Sequence, residues 1–405
     1  MKPPSGWTNT LLHHVAEVRS GLSKSAKREG PMIRKPYLRV ANVQDGFLDL
    51  SEIKEIDVPA NQVERFTLKT GDLLLIEGNG NPENLGRGCL WEGQVPDCVH
   101  QNHVFAVRAL PSTNLLPRFL ALQLQSDHGR NYLLSCAKGS TGLSTINSVQ
   151  LKQFPVLVPP IFEQNAITDA IASWDAAIEK TEQLIAAKER HLQAIEHQLL
   201  TARKRLNGFS DNWDLLRADK IFDNVSLKGF GSEPLLSVTQ DRGVIPRDML
   251  TGRVTMPSGD TTSFKLVEPG NFVISLRSFQ GGLEHSDYRG LVSPAYTVLR
   301  AVRAIDVRFF RHYFRSRNFI KRLSVAVIGI RDGKQVSFQD FCSIKIPFPP
   351  IEEQQAIATM LDEAEREIAL LRGQITAFKK QKRGLMQKLL TGQWRVKVTE
   401  TEASP

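Results

Sequence analysis

The sequence predicts an α+β fold in which two pseudo-repeated mixed α/β domains alternate with two long helices. Three observations predict it: an internal repeat at an offset of 190 residues, a 3.5-residue apolar period in both copies, and short apolar runs broken by Gly, Pro and Asn elsewhere. The chain has 405 residues, of which 41% are hydrophobic and 23% charged, and this ordinary balance excludes wholesale disorder. Its net charge of +9 is modest but leaves an anionic partner open.

The repeat is unmistakable at the start of each helix. Pro159-Pro160-Ile161-Phe162-Glu163-Gln164-Asn165-Ala166-Ile167 returns as Pro349-Pro350-Ile351-Glu352-Glu353-Gln354-Gln355-Ala356-Ile357, and 13 of the 43 positions in 159–201 are identical at this offset. A chance match of this length is improbable, so the chain is a duplicated unit. The sequence predicts a first mixed domain at 1–158, a spacer helix at 159–206, a second mixed domain at 207–348, a second spacer helix at 349–396 and a disordered tail at 397–405.

The first mixed domain reads as strands and turns. Short apolar runs at 37–40, 72–76 and 104–107 predict strands, and a helix is expected from Arg118 to about Leu134. The second domain repeats this order, with strands near 235–238, 271–274 and 296–299 and a helix near 307–323.

Each spacer helix carries an apolar seam whose steps alternate between three and four residues, the period of a coiled coil. Both helices begin after Pro-Pro with a Glu in the first turn, and the first is expected to run from about 163 to 205, with Gly208 near its end. The predicted seam residues are Ile171, Trp174, Ile178, Ile185, Leu192, Ile195 and Leu199 in the first helix, and Leu361, Ile368, Leu371, Ile375, Phe378, Leu385 and Leu389 in the second. Thr181 and Lys188 in the first helix, and Ala364 and Lys382 in the second, fill the remaining positions of the two seams. The two seams can cover each other in either an antiparallel or a parallel pair, or each helix can pack on its own domain.

The positive charge lies mostly in the mixed domains. The first has 17 basic and 14 acidic residues, and the second has 20 and 14. In the second, Arg308, Arg311, Arg315 and Arg322 are expected to share one face of a helix. Such a face suits DNA phosphates, with Arg311 and Arg315 as the favoured contacts. A face that is solvated, or paired within the chain, is the alternative.

No catalytic motif or nucleotide-binding loop stands out, which favours a binding protein over an enzyme. The group Cys89, Cys98, His100 and His103 invites a zinc interpretation, but its spacing is unusual and ordinary packing is preferred. Four cysteines without a repeating framework suit a reducing cytoplasm. The absence of a long apolar run argues against a membrane span.

Four sequence features together are typical of one family: the two Pro-Pro-Ile-x-Glu-Gln-x-Ala-Ile starts, Gly6-Trp7, the segment 37–43 and Gly71-Asp72-Leu73-Leu74. In these features the chain resembles the specificity (S) subunit of Type I restriction-modification enzymes. The resemblance covers 1–396, although the second half has Asn212-Trp213 and Gly270-Asn271 where the first has Gly6-Trp7 and Gly71-Asp72. It implies a non-catalytic DNA-specificity subunit with two target recognition domains, each reading one half of a split, asymmetric double-stranded DNA site.

The same resemblance implies that the spacer helices form an antiparallel coiled coil that fixes the distance between half-sites. It also implies docking of two methyltransferase (M) subunits and, through them, of restriction/translocase (R) subunits, with no membrane partner. The chain itself is expected to bind no cofactor and no metal. S-adenosylmethionine, ATP and Mg are expected on the partner subunits. A coiled-coil protein-interaction adaptor without sequence-specific DNA binding remains the main alternative, and a free-standing DNA-modifying enzyme a further one.

Polar and cationic residues on Gly-flanked loops are the expected base readers, because loops can reach the groove edges. The candidates in the first domain are Asn79, Asn81, Arg87, Asn102, Lys138, Ser140 and Thr141, and those in the second are Arg277, Gln280, His285, Arg331, Lys334 and Gln335.

Overall fold

The computed structural model describes residues 3–23, 29–79, 85–140, 143–250, 261–327 and 336–396. The chain divides into two compact units. Unit 1 consists of residues 1–181 and 374–405, and unit 2 consists of residues 182–373. No helix in the described ranges has a stretch that is both long and apolar enough to cross a membrane.

Elements are numbered in chain order. The strands up to the first long helix are β1 Thr8–Leu11, β2 Ala16–Ser20, β3 Met32–Leu38, β4 Lys54–Pro59, β5 Leu73–Ile76, β6 Gly78–Asn79, β7 Gly88–Leu90, β8 Val99–His100, β9 Val104–Ala109, β10 Lys138–Ser140, β11 Leu143–Thr145 and β12 Pro155–Val158. The helices are α1 Leu12–Val15, α2 Val63–Phe66, α3 Pro117–Gln125, α4 Asp127–Cys136, α5 Ser148–Lys152 and the long α6 Ile161–Leu200.

The second half follows the same plan. Its strands are β13 Asp214–Arg217, β14 Phe222–Val225, β15 Leu236–Thr239, β16 Gly243–Pro246, β17 Lys265–Val267, β18 Phe272–Ile274, β19 Glu284–His285, β20 Gly290–Val292, β21 Thr297–Ala301 and β22 Lys345–Phe348. Its helices are α7 Ser278–Gly281, α8 Val307–Arg315, α9 Arg317–Val327, α10 Phe338–Ser343 and the long α11 Ile351–Leu390.

The duplication is confirmed by sheet topology. In unit 1 a four-stranded sheet has the order β2-β9-β5-β7, and in unit 2 the corresponding sheet has the order β14-β21-β18-β19. A separate two-stranded sheet joins the first and last strands of each mixed domain, β1 with β12 and β13 with β22. The additions differ: β3, β4 and β8 form a further sheet in unit 1, whereas unit 2 has the pairs β15-β16 and β17-β20. One core therefore carries two different sets of peripheral strands.

The replacement of Gly71-Asp72 by Gly270-Asn271 preserves the turn before the central strand. Asp72 Oδ2 accepts a hydrogen bond from Lys69 N at 2.8 Å, and Asn271 Oδ1 accepts one from Glu268 N at 2.9 Å. Both glycines have positive φ, 91° and 90°. A carboxylate and an amide oxygen thus serve the same acceptor role, which explains why the two halves can differ at this position.

Each long helix has 40 residues and is therefore about 60 Å long at 1.5 Å per residue. The first begins where expected but ends at Leu200 rather than near 205, because Ala202 adopts a left-handed φ of 56°. The same position of the repeat is occupied by Gly392, with φ 69°. Gly208 lies beyond the helix end and does not terminate it.

The long helices pair antiparallel within each unit. In unit 1 the Trp174 and Phe378 rings lie 5.6 Å apart in an edge-to-face contact, while the start of α6 contacts the segment after α11 through Glu163 and Arg395. In unit 2 the Lys188 ammonium lies 2.7 Å from the Glu367 carboxylate. The predicted seam positions are all buried or half-buried along both helices.

A buried Trp–Glu–Arg cluster explains the repeated Glu of the helix starts. In unit 2 the Trp213 Nε1 donates to Glu353 Oε2 at 2.8 Å, and Arg205 binds the same carboxylate with two hydrogen bonds at 2.6 and 2.7 Å. In unit 1 the Trp7 Nε1 donates to Glu163 Oε2 at 3.1 Å, and Arg395 binds that carboxylate. The cluster fastens the first strand of each mixed domain to a long helix.

The following Gln of the motif is also structural. Gln354 Oε1 accepts from Asp306 N at 2.9 Å and its Nε2 donates to Pro349 O at 2.8 Å. Gln164 does the same in unit 1, with Leu116 N and Pro159 O. Both side chains are fully buried, so their hydrogen bonds are required to offset desolvation.

Two predicted helices are wrong in their extent. The helix expected from Arg118 to Leu134 is two helices, α3 and α4, separated at Ser126, whose Oγ accepts from Gly129 N at 3.2 Å. The helix expected over 307–323 is likewise split into α8 and α9 at Ser316, whose Oγ accepts from Phe319 N at 3.3 Å. In both halves a serine N-cap starts the second helix.

Candidate nucleic-acid interface

In unit 1 the predicted base readers gather beyond the end of the buried central strand β5. Strands β7 and β9 both run antiparallel to β5, so the residues that precede them lie beside those that follow it. Accordingly Ile76 N donates to Arg87 O and Glu77 N donates to His103 O, each at 3.0 Å. Arg87 and Asn102 are thereby placed at the same edge as Asn79.

A small three-stranded sheet brings further candidates to this edge. Strand β11 pairs antiparallel with both β6 and β10, so that Ser144 lies opposite Asn79 on one side and Gly139 on the other. Lys138 and Ser140 flank Gly139 on β10. They were expected in a loop and lie in a strand instead, because β10 and β11 form a hairpin. Asn81 and Thr141 lie outside the described residues.

The described side chains at this edge are polar, and not all of their polar atoms have a hydrogen-bond partner among the described residues. Arg87 is half-buried, and its Nη2 donates to Val40 O at 3.4 Å, while its buried Nε has no hydrogen-bond partner among the described residues. His103 is exposed and its Nδ1 lies 2.7 Å from Glu77 Oε2, while Asn102 Nδ2 lies 3.5 Å from His103 Nε2. The Glu77–His103 pair was not among the predicted base readers. The one sequence feature that indicates a polar pair here is a carboxylate directly after a buried strand.

The zinc alternative is not supported by the geometry. Cys89 and Cys98 pack in an apolar core, and burial raises the pKa of each thiol to about 12. His100 Nδ1 is 3.2 Å from Phe66 O, and His103 is paired with Glu77. These contacts fit ordinary packing.

In unit 2 the counterpart of this edge follows β18. Arg277 precedes the short helix α7, which contains Gln280, and both side chains are exposed. His285 lies on β19 opposite Phe272, with the two rings 5.4 Å apart, and burial lowers the pKa of His285. A neutral His285 can exchange hydrogen bonds with a base edge but supplies no charge for a phosphate. Arg331, Lys334 and Gln335 lie outside the described residues.

The basic face predicted around α8 is engaged within unit 2. Arg311 Nη2 contacts Asp362 Oδ1 and Glu365 Oε2, at 2.5 and 3.3 Å. Arg315 donates to the backbone oxygen of Gln240 and lies 3.9 Å from the Glu284 carboxylate. These contacts favour the alternative in which the face is paired within the chain.

Arg322 does not share that face. The break at Ser316 places it on α9, where its Nη1 donates to the Tyr313 hydroxyl at 3.2 Å. The predicted row of four arginines on one helix is therefore wrong, because the helix does not continue through position 316.

Comparison with known proteins identifies this architecture. A family model described as the type I restriction modification DNA specificity domain matches residues 4–189 and 260–379. A specificity subunit assigned to the type I restriction enzyme MjaX of Methanocaldococcus jannaschii is 24% identical over 415 residues, which cover 97% of this chain and 95% of that protein. The EcoKI specificity subunit of Escherichia coli K12 is 28% identical over 201 residues, covering 49% of this chain and 39% of that one.

Solved structures share the fold. The HsdS subunit of Thermoanaerobacter tengcongensis gives a TM-score of 0.58 at 17% identity, covering 97% of this chain and 99% of that chain. A chain from a structural study of complex assembly in a type I R-M system gives 0.61 at 16% identity, covering 96% and 99%.

The duplicated α+β core carries two unlike sets of polar residues at its strand ends. The chain belongs to the type I restriction modification DNA specificity family. This confirms the predicted specificity subunit and DNA as its target.

Proposed function

We propose that each mixed domain reads one half of a split, asymmetric DNA sequence. The observation that carries this proposal is the duplicated core with unlike strand ends. Both units keep the four-stranded sheet order and the Trp–Glu–Arg cluster, whereas the small sheet of β6, β10 and β11 in unit 1 corresponds to no such sheet among the described residues of unit 2. Two readers built on one core but ending in different side chains would select different half-sites.

Within each domain the proposed readers are those that surround the end of the central strand. Asn79, Lys138 and Ser140 occupy one small sheet in unit 1, and Arg277 and Gln280 are exposed after β18 in unit 2. Asn and Arg are suited to hydrogen-bond adenine and guanine edges in the major groove.

Arg311 and Arg315, the predicted phosphate contacts, already have partners within unit 2. Each would contact a phosphate only after leaving its partners, which are Asp362 and Glu365 for Arg311 and Gln240 O for Arg315. We therefore expect their contribution to DNA affinity to be smaller than that of the exposed Arg277.

The long helices are proposed to hold the half-site readers at a fixed separation and to dock two adenine-methyltransferase subunits, and restriction/translocase subunits through them. Exposed apolar side chains on these helices, such as Leu184 and Leu370, which are 44% and 66% exposed, suit such docking. S-adenosylmethionine, ATP and Mg would then belong to the partners. All four cysteines are free, which agrees with work in a reducing cytoplasm.

A gel-shift experiment with the chain and its methyltransferase partners tests the proposal. Lys138→Ala and Arg277→Ala should each relax preference in a different half-site, by about 1–3 kcal/mol per lost base contact. Lys152→Ala and Arg217→Ala, which remove exposed cations elsewhere in the same domains, serve as matched controls and should leave the preference unchanged. Absence of DNA binding with all partners present would support the adaptor alternative instead.

A further inference from the structure

A second polar cluster lies within unit 2, away from the strand ends. Glu196 of α6, His312 of α8 and Glu365 of α11 bring one ligand atom each to within 4.8 Å of one another. His312 Nδ1 lies 3.9 Å from Glu196 Oε1 and 3.7 Å from Glu365 Oε1. Both distances exceed the length of a hydrogen bond, so His312 Nδ1 is not hydrogen-bonded to either carboxylate. The three groups therefore face a common gap.

The histidine is oriented by a fourth residue. His312 is only 4% exposed, and its Nε2 lies 2.8 Å from Asp362 Oδ1. An ionised carboxylate accepts the Nε2 proton, which leaves the Nδ1 lone pair directed at Glu196 and Glu365. A histidine held by a carboxylate on its far nitrogen is the usual outer-shell arrangement of a metal ligand.

The spacing fits a metal ion. Zinc binds imidazole nitrogen and carboxylate oxygen at about 2.0–2.2 Å, so two ligands in a tetrahedral site are separated by about 3.4 Å. The two Nδ1 to carboxylate distances, 3.7 and 3.9 Å, are within a few tenths of an ångström of that value. Small side-chain adjustments would close the site around an ion.

The charges also favour a cation. Arg311 contacts Asp362 and the Oε2 atom of Glu365, which leaves Glu365 Oε1 facing the gap. Among the described contacts Glu196 has no guanidinium or ammonium within ion-pair distance, and Arg315 and Arg317 act on it only from farther away.

We propose that Glu196, His312 and Glu365 bind one divalent transition-metal ion of the zinc class. One imidazole with two carboxylates suits such an ion better than Mg²⁺ or Ca²⁺, which prefer all-oxygen sites. The ion ties α6 and α11 to α8, so it fastens the second mixed domain to the long helices. The repeat has Met386, Leu122 and Asp175 at the corresponding positions of unit 1, where Met386 and Leu122 pack against the apolar core. The metal site is thus a feature of unit 2, where it shares Glu365 with the ion pair of Arg311.

Metal titration of the full chain tests the site. After treatment with EDTA, the wild-type chain at pH 8 should take up one equivalent of Co²⁺, with d–d absorption of nitrogen and oxygen ligation, and Zn²⁺ should displace it and raise Tm. Glu365→Gln and Glu196→Gln should each weaken binding by at least tenfold and remove the Tm rise. Glu367→Gln, on the same helix but paired with Lys188, is the matched control and should bind as the wild type does.

The side chains of Glu365 and Glu196 are 44% and 26% exposed, and Gln has nearly the same shape as Glu, so both variants are expected to fold, which circular dichroism checks. Failure of the wild type to bind Co²⁺ or Zn²⁺ would overturn the proposal. So would equal binding by wild type and Glu365→Gln, or a thiolate charge-transfer band, which would place the ion on a cysteine.

Discussion

At the residue scale, Glu163 and Glu353 show how much of a repeated motif is explained by tertiary contacts. Their position in the first helical turn predicts a favourable interaction with the helix dipole, worth about 0.3–1 kcal/mol when exposed. Both are instead buried acceptors for a Trp and an Arg. Arg205 and Trp213 are separated from Glu353 by 148 and 140 residues, and no local pattern links them.

The Trp–Glu–Arg cluster should therefore matter for stability. Glu353→Ala leaves the Arg205 guanidinium and the Trp213 N–H without their acceptor, and we expect a loss of about 3 kcal/mol in the free energy of unfolding. Urea denaturation measures it. Glu352→Ala removes the exposed neighbouring carboxylate and should change stability by about 0.5 kcal/mol or less. Equal losses in the two variants would show that the buried cluster is not a stabilising element.

Glu284 predicts a pH dependence. It is 2% exposed, both carboxyl oxygens lack a hydrogen-bond partner, and burial raises its pKa from 4.5 to about 7. The folded protein therefore holds a proton that the unfolded chain releases, and the stability linked to it is full below about pH 4.5 and is lost as pH rises through about 7.

Glu284→Gln should remove this part of the pH dependence. Relative to the wild type it should gain stability between pH 5 and pH 8, measured by urea denaturation across that range. Asp248→Asn, which changes an exposed carboxylate of the same unit, is the control. A difference between wild type and Glu284→Gln that stays constant with pH would contradict the assignment.

At the element scale, the ends of the two long helices offer a direct comparison. Ala202 and Gly392 occupy the same position of the repeat and both have positive φ. The left-handed conformation costs a non-Gly residue about 1–2 kcal/mol, and Gly in turn loses about 0.5–1 kcal/mol more conformational entropy. Ala202→Gly should therefore stabilise the protein by about 0.5–1 kcal/mol.

The reverse change should destabilise it. Gly392→Ala adds the conformational penalty, and its Cβ would also collide with the Pro4 ring. Thermal denaturation of the two single variants measures both stability changes. A Tm for Ala202→Gly below that of the wild type would contradict the conformational explanation.

Secondary structure was predictable where the apolar pattern was long or occurred in both copies of the repeat. The seams run for about eight helical turns in two copies, and packing confirms them. The buried runs of β5 and β9 stand out for their apolar content. The breaks at Ser126 and Ser316 were missed because apolar residues continue across them while the cap depends on one hydroxyl. Strands as short as β6 and β10 are defined by their partners rather than by their own sequence.

At the scale of the whole molecule, duplication was the most predictive feature. It required only the sequence, and the matched sheet orders agree with it. The candidate readers were less predictable. The antiparallel pairing of β7 and β9 with β5 brings Arg87 and Asn102 beside Asn79, whereas the carboxylates that engage Arg311 come from α11, some 50 residues away. Charge counting pointed to the mixed domains but could not tell a free arginine from a paired one.

We propose that the two mixed domains, which share one core but differ at their strand ends, read two different DNA half-sites. Methylome sequencing of cells with and without this gene, in the presence of the methyltransferase partner, tests it most directly. We predict adenine methylation at a split motif with two different half-sites at a fixed separation, lost when the gene is deleted. Methylation at a continuous or palindromic motif, or methylation that persists without the gene, would contradict it.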